Sequence, residues 1–208
     1  MQRTGHGFQS VMRVLNNELG NDVHILWALS KDFGASGFRF GTVYSQNKTF
    51  LEAFANFNIF TGASHPMQAM TADMLNDEAF IDKFLDESRG RLLASYQVCV
   101  KTMEELELPF IPAKAGLFIY VDLSSLLPSN TFEAERELCD VLMNQARMVL
   151  TPGESQREKY PGQFRICYAW ISPEVLQIAM ERLKKLVHKI RQTEWSDLKD
   201  SSLESIIG

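Results

Sequence analysis

The sequence predicts an α/β fold. Compact apolar runs bounded by turn residues, at residues 24–29, 117–123 and 164–170, read as strands. Longer segments with apolar residues at helical spacing surround them, and a glycine-rich turn joins two of the extended runs.

Residues 11–19 place Val11, Val14, Leu15 and Leu19 at helical spacing and stop at Gly20, so a short helix is expected. His24-Ile25-Leu26-Trp27-Ala28-Leu29 is too short for a helix and rich in large apolar side chains, which predicts a buried strand delivering Ser30 and Lys31 at its C-terminal end. Gly34, Ser36, Gly37 and Gly41 surround Arg39 in a loop that can approach a ligand closely, and residues 39–44 follow as a second strand. Residues 49–60 and 66–75 read as helices, with Met67, Met70 and Met74 as core, and residues 78–106 read as a long amphipathic helix closed by Pro109 and Pro112. After the strand at 117–123 come a helix at 132–148, the strand at 164–170, and a helix opened by Pro173 with Val175, Ile178, Leu183, Leu186 and Val187 on one side. The polar tail, residues 193–208, reads as a flexible, solvated end, with a partner-binding segment as the alternative.

Bulk properties narrow the function classes. With 208 residues, 45% of them hydrophobic, the chain can bury a core as one large or two small domains. The balance of 21 basic and 26 acidic residues, net charge −5, offers no electrostatic footprint for nucleic acid or an anionic membrane. Cys99, Cys139 and Cys167 are odd in number and widely spaced, which suggests neither a disulfide framework nor a CxxC metal site and fits a reducing, cytoplasmic compartment. The N-terminus lacks the apolar stretch of a signal peptide, and no segment approaches the about eighteen apolar residues of a membrane span, so a soluble protein is expected. The histidines at 6, 24, 65 and 188 show no ligand spacing, so no metal is expected.

Three residues stand out chemically. Lys31 directly follows an apolar strand, an unusual place for a charge; a desolvated, neutral lysine amine attacks aldehydes, while the ordinary alternative is a lysine reaching into solvent. Arg39 lies eight residues on, beyond the glycine turn. Its planar fork of donors suits a phosphate dianion, with Ser30 adding a hydroxyl, and a surface ion pair is the alternative. Arg165 enters a strand otherwise made of apolar and aromatic residues, where a substrate carboxylate or a structural ion pair would satisfy it. No Gly-Lys-Ser/Thr follows the glycine loop, which argues against a nucleotide site.

The motif Ser30-Lys31-Asp32-Phe33-Gly34-x-x-Gly37-Phe38-Arg39-Phe40-Gly41 resembles the cofactor-lysine motif of fold-type I, class I/II aminotransferases. Trp27-Ala28-Leu29-Ser30-Lys31-Asp32-Phe33-Gly34, Phe40-Gly41-Thr42-Val43-Tyr44, residues 114–123 and residues 161–169 are similar, in order, to the 1-aminocyclopropane-1-carboxylate synthase family, particularly its synthase-like branch. The resemblance implies the C-terminal part of an aspartate aminotransferase-like large domain over residues 1–85, the α+β small domain over 86–192, and a flexible tail over 193–208. It implies pyridoxal 5'-phosphate (PLP) as cofactor, Lys31 as the Schiff-base lysine, Ser30 and Arg39 on the cofactor phosphate, and Arg165 on the substrate α-carboxylate. The implied substrate is a small amino acid, with S-adenosylmethionine as the synthase candidate, and the implied assembly is a homodimer. Transamination of an amino acid and keto acid pair, or a non-catalytic fragment retained as an interaction module, are the alternatives. Ala28 stands where many relatives carry a further serine. The chain begins at about the middle of the family's length, so a truncated form is expected, without the family's upstream aspartate partner of the pyridine nitrogen.

Overall fold

The structure, a computed structural model, describes residues 8–200, with the side chains of residues 199 and 200 outside the description. The chain forms two compact units that part between Ser88 and Arg89.

In the first unit the helix expected over residues 11–19 is a single turn, α1 (Val11–Val14). Asn16 and Asn17 take left-handed backbone, φ 50 and 64, which asparagine tolerates and a continuing helix cannot. The Gln46 side chain then ties this segment down, accepting from the Leu19 amide at 2.7 Å and donating to the Asn17 carbonyl at 2.7 Å. Strands β1 (His24–Ala28) and β2 (Gly41–Ser45) pair antiparallel, from His24 opposite Ser45 to Ala28 opposite Gly41. The expected burial of β1 is not found: Leu26 is 78% exposed, because among the described residues this two-stranded ribbon has no further strand and each strand shows one face to solvent. The single turn α2 (Leu29–Asp32) lies between the strands. Helix α3 (Lys48–Thr61) starts where the Asn47 side chain accepts from the Phe50 amide at 2.9 Å, and α4 (His65–Asn76) follows. Thr71 is the buried residue of α4, with Met67 and Met74 half-buried one turn either side; Met70, expected in the core, lies off that stripe and is 58% exposed.

Helix α5 (Glu78–Glu105) contains the division between the units. The second unit holds a four-stranded antiparallel sheet in the order β3 (Phe110–Ile111), β4 (Phe118–Asp122), β6 (Gln163–Cys167), β5 (Thr151–Pro152). Its period-two alternation buries Ile119, Val121, Phe164 and Ile166 and leaves Phe118, Tyr120 and Arg165 only partly covered, which assigns the two sets to opposite faces. The buried set meets Leu138 and Leu142 of α6 (Phe132–Gln145) and Met180, Leu183 and Leu186 of α7 (Pro173–Gln192) in one hydrophobic core. On α7 the buried stripe runs through Leu176, Met180, Leu183 and Val187. Val175 and Ile178, expected on that side, fall about a third and nearly half of a turn off it and are about half exposed. The segment after Thr193 departs from a solvated tail: α8 (Trp195–Asp200) buries Leu198 fully, and the Trp195 indole donates to Glu137 at 3.0 Å. Two apolar side chains in an otherwise polar stretch suffice to dock it. The rest of the expected tail, residues 201–208, lies outside the described residues.

Candidate active site

The residues singled out by the sequence fall into two groups, one in each unit. In the first unit, pairing of Ala28 with Gly41 and a bond from the Leu29 amide to the Phe40 carbonyl (3.3 Å) close residues 29–40 into a loop. Ser30 and Lys31 lie in the helical turn α2 on one limb, two and three residues past the end of β1 at Ala28, and Arg39 lies on the other limb. The Leu29 side chain is fully buried and its carbonyl accepts from the Phe33 and Ala35 amides, both at 3.2 Å, so the turn is anchored from its first residue. Gly34 follows at φ +63, a conformation glycine reaches without strain.

Aromatic contacts brace the same turn. The Trp27 indole donates to the Asp32 carboxylate at 2.6 Å, next to Lys31 in sequence, and Phe33 stacks on Phe84 with centroids 5.2 Å apart. Arg39 is left-handed at φ 49, and its Nη1 donates to the Ser36 carbonyl at 3.0 Å. Lys31 and Arg39 are exposed and Ser30 is half-buried. An apolar groove of about 340 Å³, with Leu26, Trp27, Gly41, Thr42 and Phe54 among its walls, runs along the ribbon at the base of the loop. One closed loop thus carries a primary amine, a hydroxyl and a guanidinium.

In the second unit Arg165 sits in the middle of β6, rather than at its start, opposite Tyr120 of β4 and Thr151 of β5. Its guanidinium lies over the Phe118 ring, 4.4 Å from the centroid, and its Nη2 donates to Thr151 Oγ1 at 3.3 Å. Nε is buried with no hydrogen-bond partner. A buried donor without an acceptor is uncommon and costly, and the rest of this half-buried guanidinium keeps the planar fork that a carboxylate matches. The donor set therefore suits a planar anion.

Sequence reading missed two neighbours of Arg165, Thr151 and Tyr120, and a buried carboxylate on α6, Glu135. Thr151 belongs to a strand of only two residues, too short to show a period. Tyr120 donates to Glu158 Oε1 at 3.0 Å, and burial, followed by that bond, pushes its phenol up to about 12. Glu135 is fully buried on α6, its carboxylate accepting from the amides of Glu154 at 2.9 Å and Gly162 at 2.6 Å. A signal for it exists in the sequence, since Glu135 falls on the same helical stripe as Leu138 and Leu142, where a charge is out of place. Among the described residues no group of three or more His, Cys, Asp or Glu is placed to hold a metal, and no helix is long and apolar enough to cross a membrane.

The family described as "Aminotransferase class I and II" matches residues 2–183. The chain is 35% identical to 1-aminocyclopropane-1-carboxylate synthase 8 of Arabidopsis thaliana over 209 aligned residues, covering 98% of this chain and 45% of that protein. It thus spans about half the length of the curated relatives it matches. Among solved structures, aspartate aminotransferase from Thermus thermophilus with maleate aligns at TM-score 0.71 and 19% identity, over 85% of this chain and 43% of that one. The PLP-bound C-S lyase from Staphylococcus hominis aligns at TM-score 0.71 and 16% identity, over 89% of this chain and 44% of that one. Both the closed 29–40 loop and the Arg165 strand lie inside the matched residues, so the chain belongs to the aminotransferase class I and II family and carries its aspartate aminotransferase-like α/β fold.

Proposed function

We propose that this chain supplies the covalent anchor and the carboxylate receptor of a PLP-dependent enzyme acting on amino acids, with Lys31 as the anchor and Arg165 as the receptor. The observation that carries the reading is the closed loop that bears Ser30, Lys31 and Arg39 together. PLP, when bound, supplies an electron sink for the bond broken at the substrate Cα. Lys31 Nζ is the amine that would hold the cofactor through its aldehyde, and once released by the substrate it would be the base that moves the Cα proton. Ser30 Oγ and the Arg39 guanidinium would donate to the cofactor phosphate, from a loop whose two ends are joined by the Ala28 and Gly41 pair. Arg165 would take the α-carboxylate with the planar fork of its guanidinium, held over the Phe118 ring. Similarity to the synthases favours S-adenosylmethionine over an amino acid and keto acid pair as the substrate.

The test is chemical trapping. The purified protein is mixed with PLP, reduced with borohydride and digested, and the modified lysine is located by mass mapping. Stoichiometric labelling of Lys31, lost in Lys31→Ala, is expected; labelling spread over other lysines, or unchanged in the variant, would refute the anchor. Arg165→Lys keeps the charge and loses the fork, so affinity for the amino acid should fall about tenfold or more, with unchanged affinity refuting the receptor.

A further inference from the structure

We infer that Glu135 is a positioning residue for Arg165: its buried carboxylate pins both ends of the loop that joins β5 to β6, and so sets the guanidinium that receives a carboxylate. The inference rests on the receptor role proposed for Arg165. Glu135 has no exposed surface, and both of its oxygens go to backbone amides, Oε1 to Glu154 and Oε2 to Gly162.

Those two amides bracket the connection. Thr151, the side chain bonded to Arg165, precedes Glu154 by three residues, and Arg165 follows Gly162 by three. One carboxylate therefore ties the two strand ends whose relative register fixes the Arg165 and Thr151 pair. Gly162 is held from a second side, since its carbonyl accepts from the Leu123 amide at 2.7 Å and its Cα is packed against Ser124.

The chemistry explains why a glutamate stands there. A buried anion is costly unless hydrogen bonds satisfy it, and two N–H donors aimed at one side chain need two acceptors. Glutamine offers one oxygen and turns an NH2 toward the other amide, so it packs equally well and yet cannot close the loop. A fork reads a carboxylate through two parallel bonds, and productive geometry tolerates about 0.5 Å of misplacement. Loosening either strand end by more than that removes one of the two bonds.

Arg165 itself provides the readout. Its Nε–H is buried and has no acceptor in the protein, so its resonance in a 15N-labelled sample is free of other bonds and reports a carboxylate that binds the guanidinium. The probe is acetate, with acetamide as the neutral control. In the wild type acetate should shift the Arg165 Nε–H resonance and acetamide should not, and Arg165→Lys abolishes the signal and confirms its assignment. Glu135→Gln should keep the dispersed spectrum of a folded protein and weaken acetate binding about tenfold, equal to about 1.4 kcal/mol.

Failure of the wild-type resonance to respond to acetate overturns the receptor role and this inference with it. A normal wild-type response with equal acetate affinity in Glu135→Gln overturns the positioning role alone. Should the glutamine variant not fold, hydrogen exchange in the wild type decides. Reciprocity requires that a ligand on Arg165 stabilise the clamp that positions it, so acetate, and not acetamide, should slow exchange of the Glu154 and Gly162 amides. Exchange indifferent to acetate overturns the inference.

Discussion

Replacing Gly162 by alanine tests how tightly the entry to β6 is built. Gly162 has φ +98, and a Cβ there would sit 2.5 Å from Ser124 Cα, 2.6 Å from Ser124 Cβ and 2.8 Å from Ser124 N. Gly116 is a matched control, with φ +91 and nothing within 4 Å of the same added atom. Holding a non-glycine residue in such a conformation costs about 1–3 kcal/mol at either site. Forcing a methyl into backbone adds about 1–3 kcal/mol more at Gly162 alone, since no flexible side chain is there to yield. Gly116→Ala should therefore cost about 1–3 kcal/mol and Gly162→Ala about 2–6 kcal/mol, a large part of the 5–15 kcal/mol that typically holds a domain together. Urea unfolding curves of the wild type and both variants, read at constant m-value, measure the two losses. Equal losses would show that the contact with Ser124 relaxes freely, and the view of this turn as a rigid feed into the Arg165 strand would fall.

Three further outcomes are expected. The Tyr120 phenol, raised to about 12 by burial and then by its bond to Glu158, stays protonated in the fold where the unfolded chain would ionise near 10. Its contribution to stability is therefore complete below pH about 10 and disappears as pH rises to about 12; spectrophotometric titration should place its midpoint there, and lower in Glu158→Gln. Burial pushes the Cys99 thiol up to about 12 and the Cys139 thiol to about 11, whereas Cys167 is exposed, so iodoacetamide at neutral pH should label Cys167 first and Cys99 only on unfolding. Labelling of Cys99 as fast as Cys167 would contradict this. Residues 89–200 expressed alone should unfold cooperatively, because every buried member of the hydrophobic core lies between Cys99 and Val187, while residues 8–88 alone should bind the dye ANS and melt without a sharp transition.

The long helices were legible because α5, α6 and α7 each carry several turns of one pattern and end at prolines or capping side chains. The strands at β1, β4 and β6 were legible as well, and the 29–40 loop was marked by its glycines. Strands β3 and β5 were not, since two residues define no period and their pairing is decided by β4 and β6. Burial was read less well than element type. The β1 strand is apolar in composition and yet half-covered, and Val175 and Ile178 are apolar on α7 and yet exposed, because a stripe is chosen by what it packs against. Arg165 was legible as a charge in an apolar strand, whereas Glu135, the same kind of anomaly on α6, was overlooked. Its partners are backbone amides near residues 154 and 162, and no side-chain pattern records a backbone amide.

Arg39 and Arg165 carry the same group and are held in opposite ways, which bears on which anion each takes. Arg39 caps a short turn in left-handed backbone, is exposed, and spends one donor on the Ser36 carbonyl within its own loop. Such a cation stays hydrated and adjusts with its loop, which suits a phosphate that presents oxygens in several directions. Arg165 lies against an aromatic face in the middle of a sheet, with one donor on Thr151 and its Nε buried and unmet. Stacking on Phe118 contributes about 0.5–2 kcal/mol and fixes the plane of the fork, while the buried, unmet donor costs about 1–3 kcal/mol. A planar carboxylate matches a fork fixed in that plane, and a lysine in place of Arg165 would keep the charge but could neither stack nor offer the fork. The way each guanidinium is held thus favours the proposed division, with phosphate at the loop and carboxylate at the sheet.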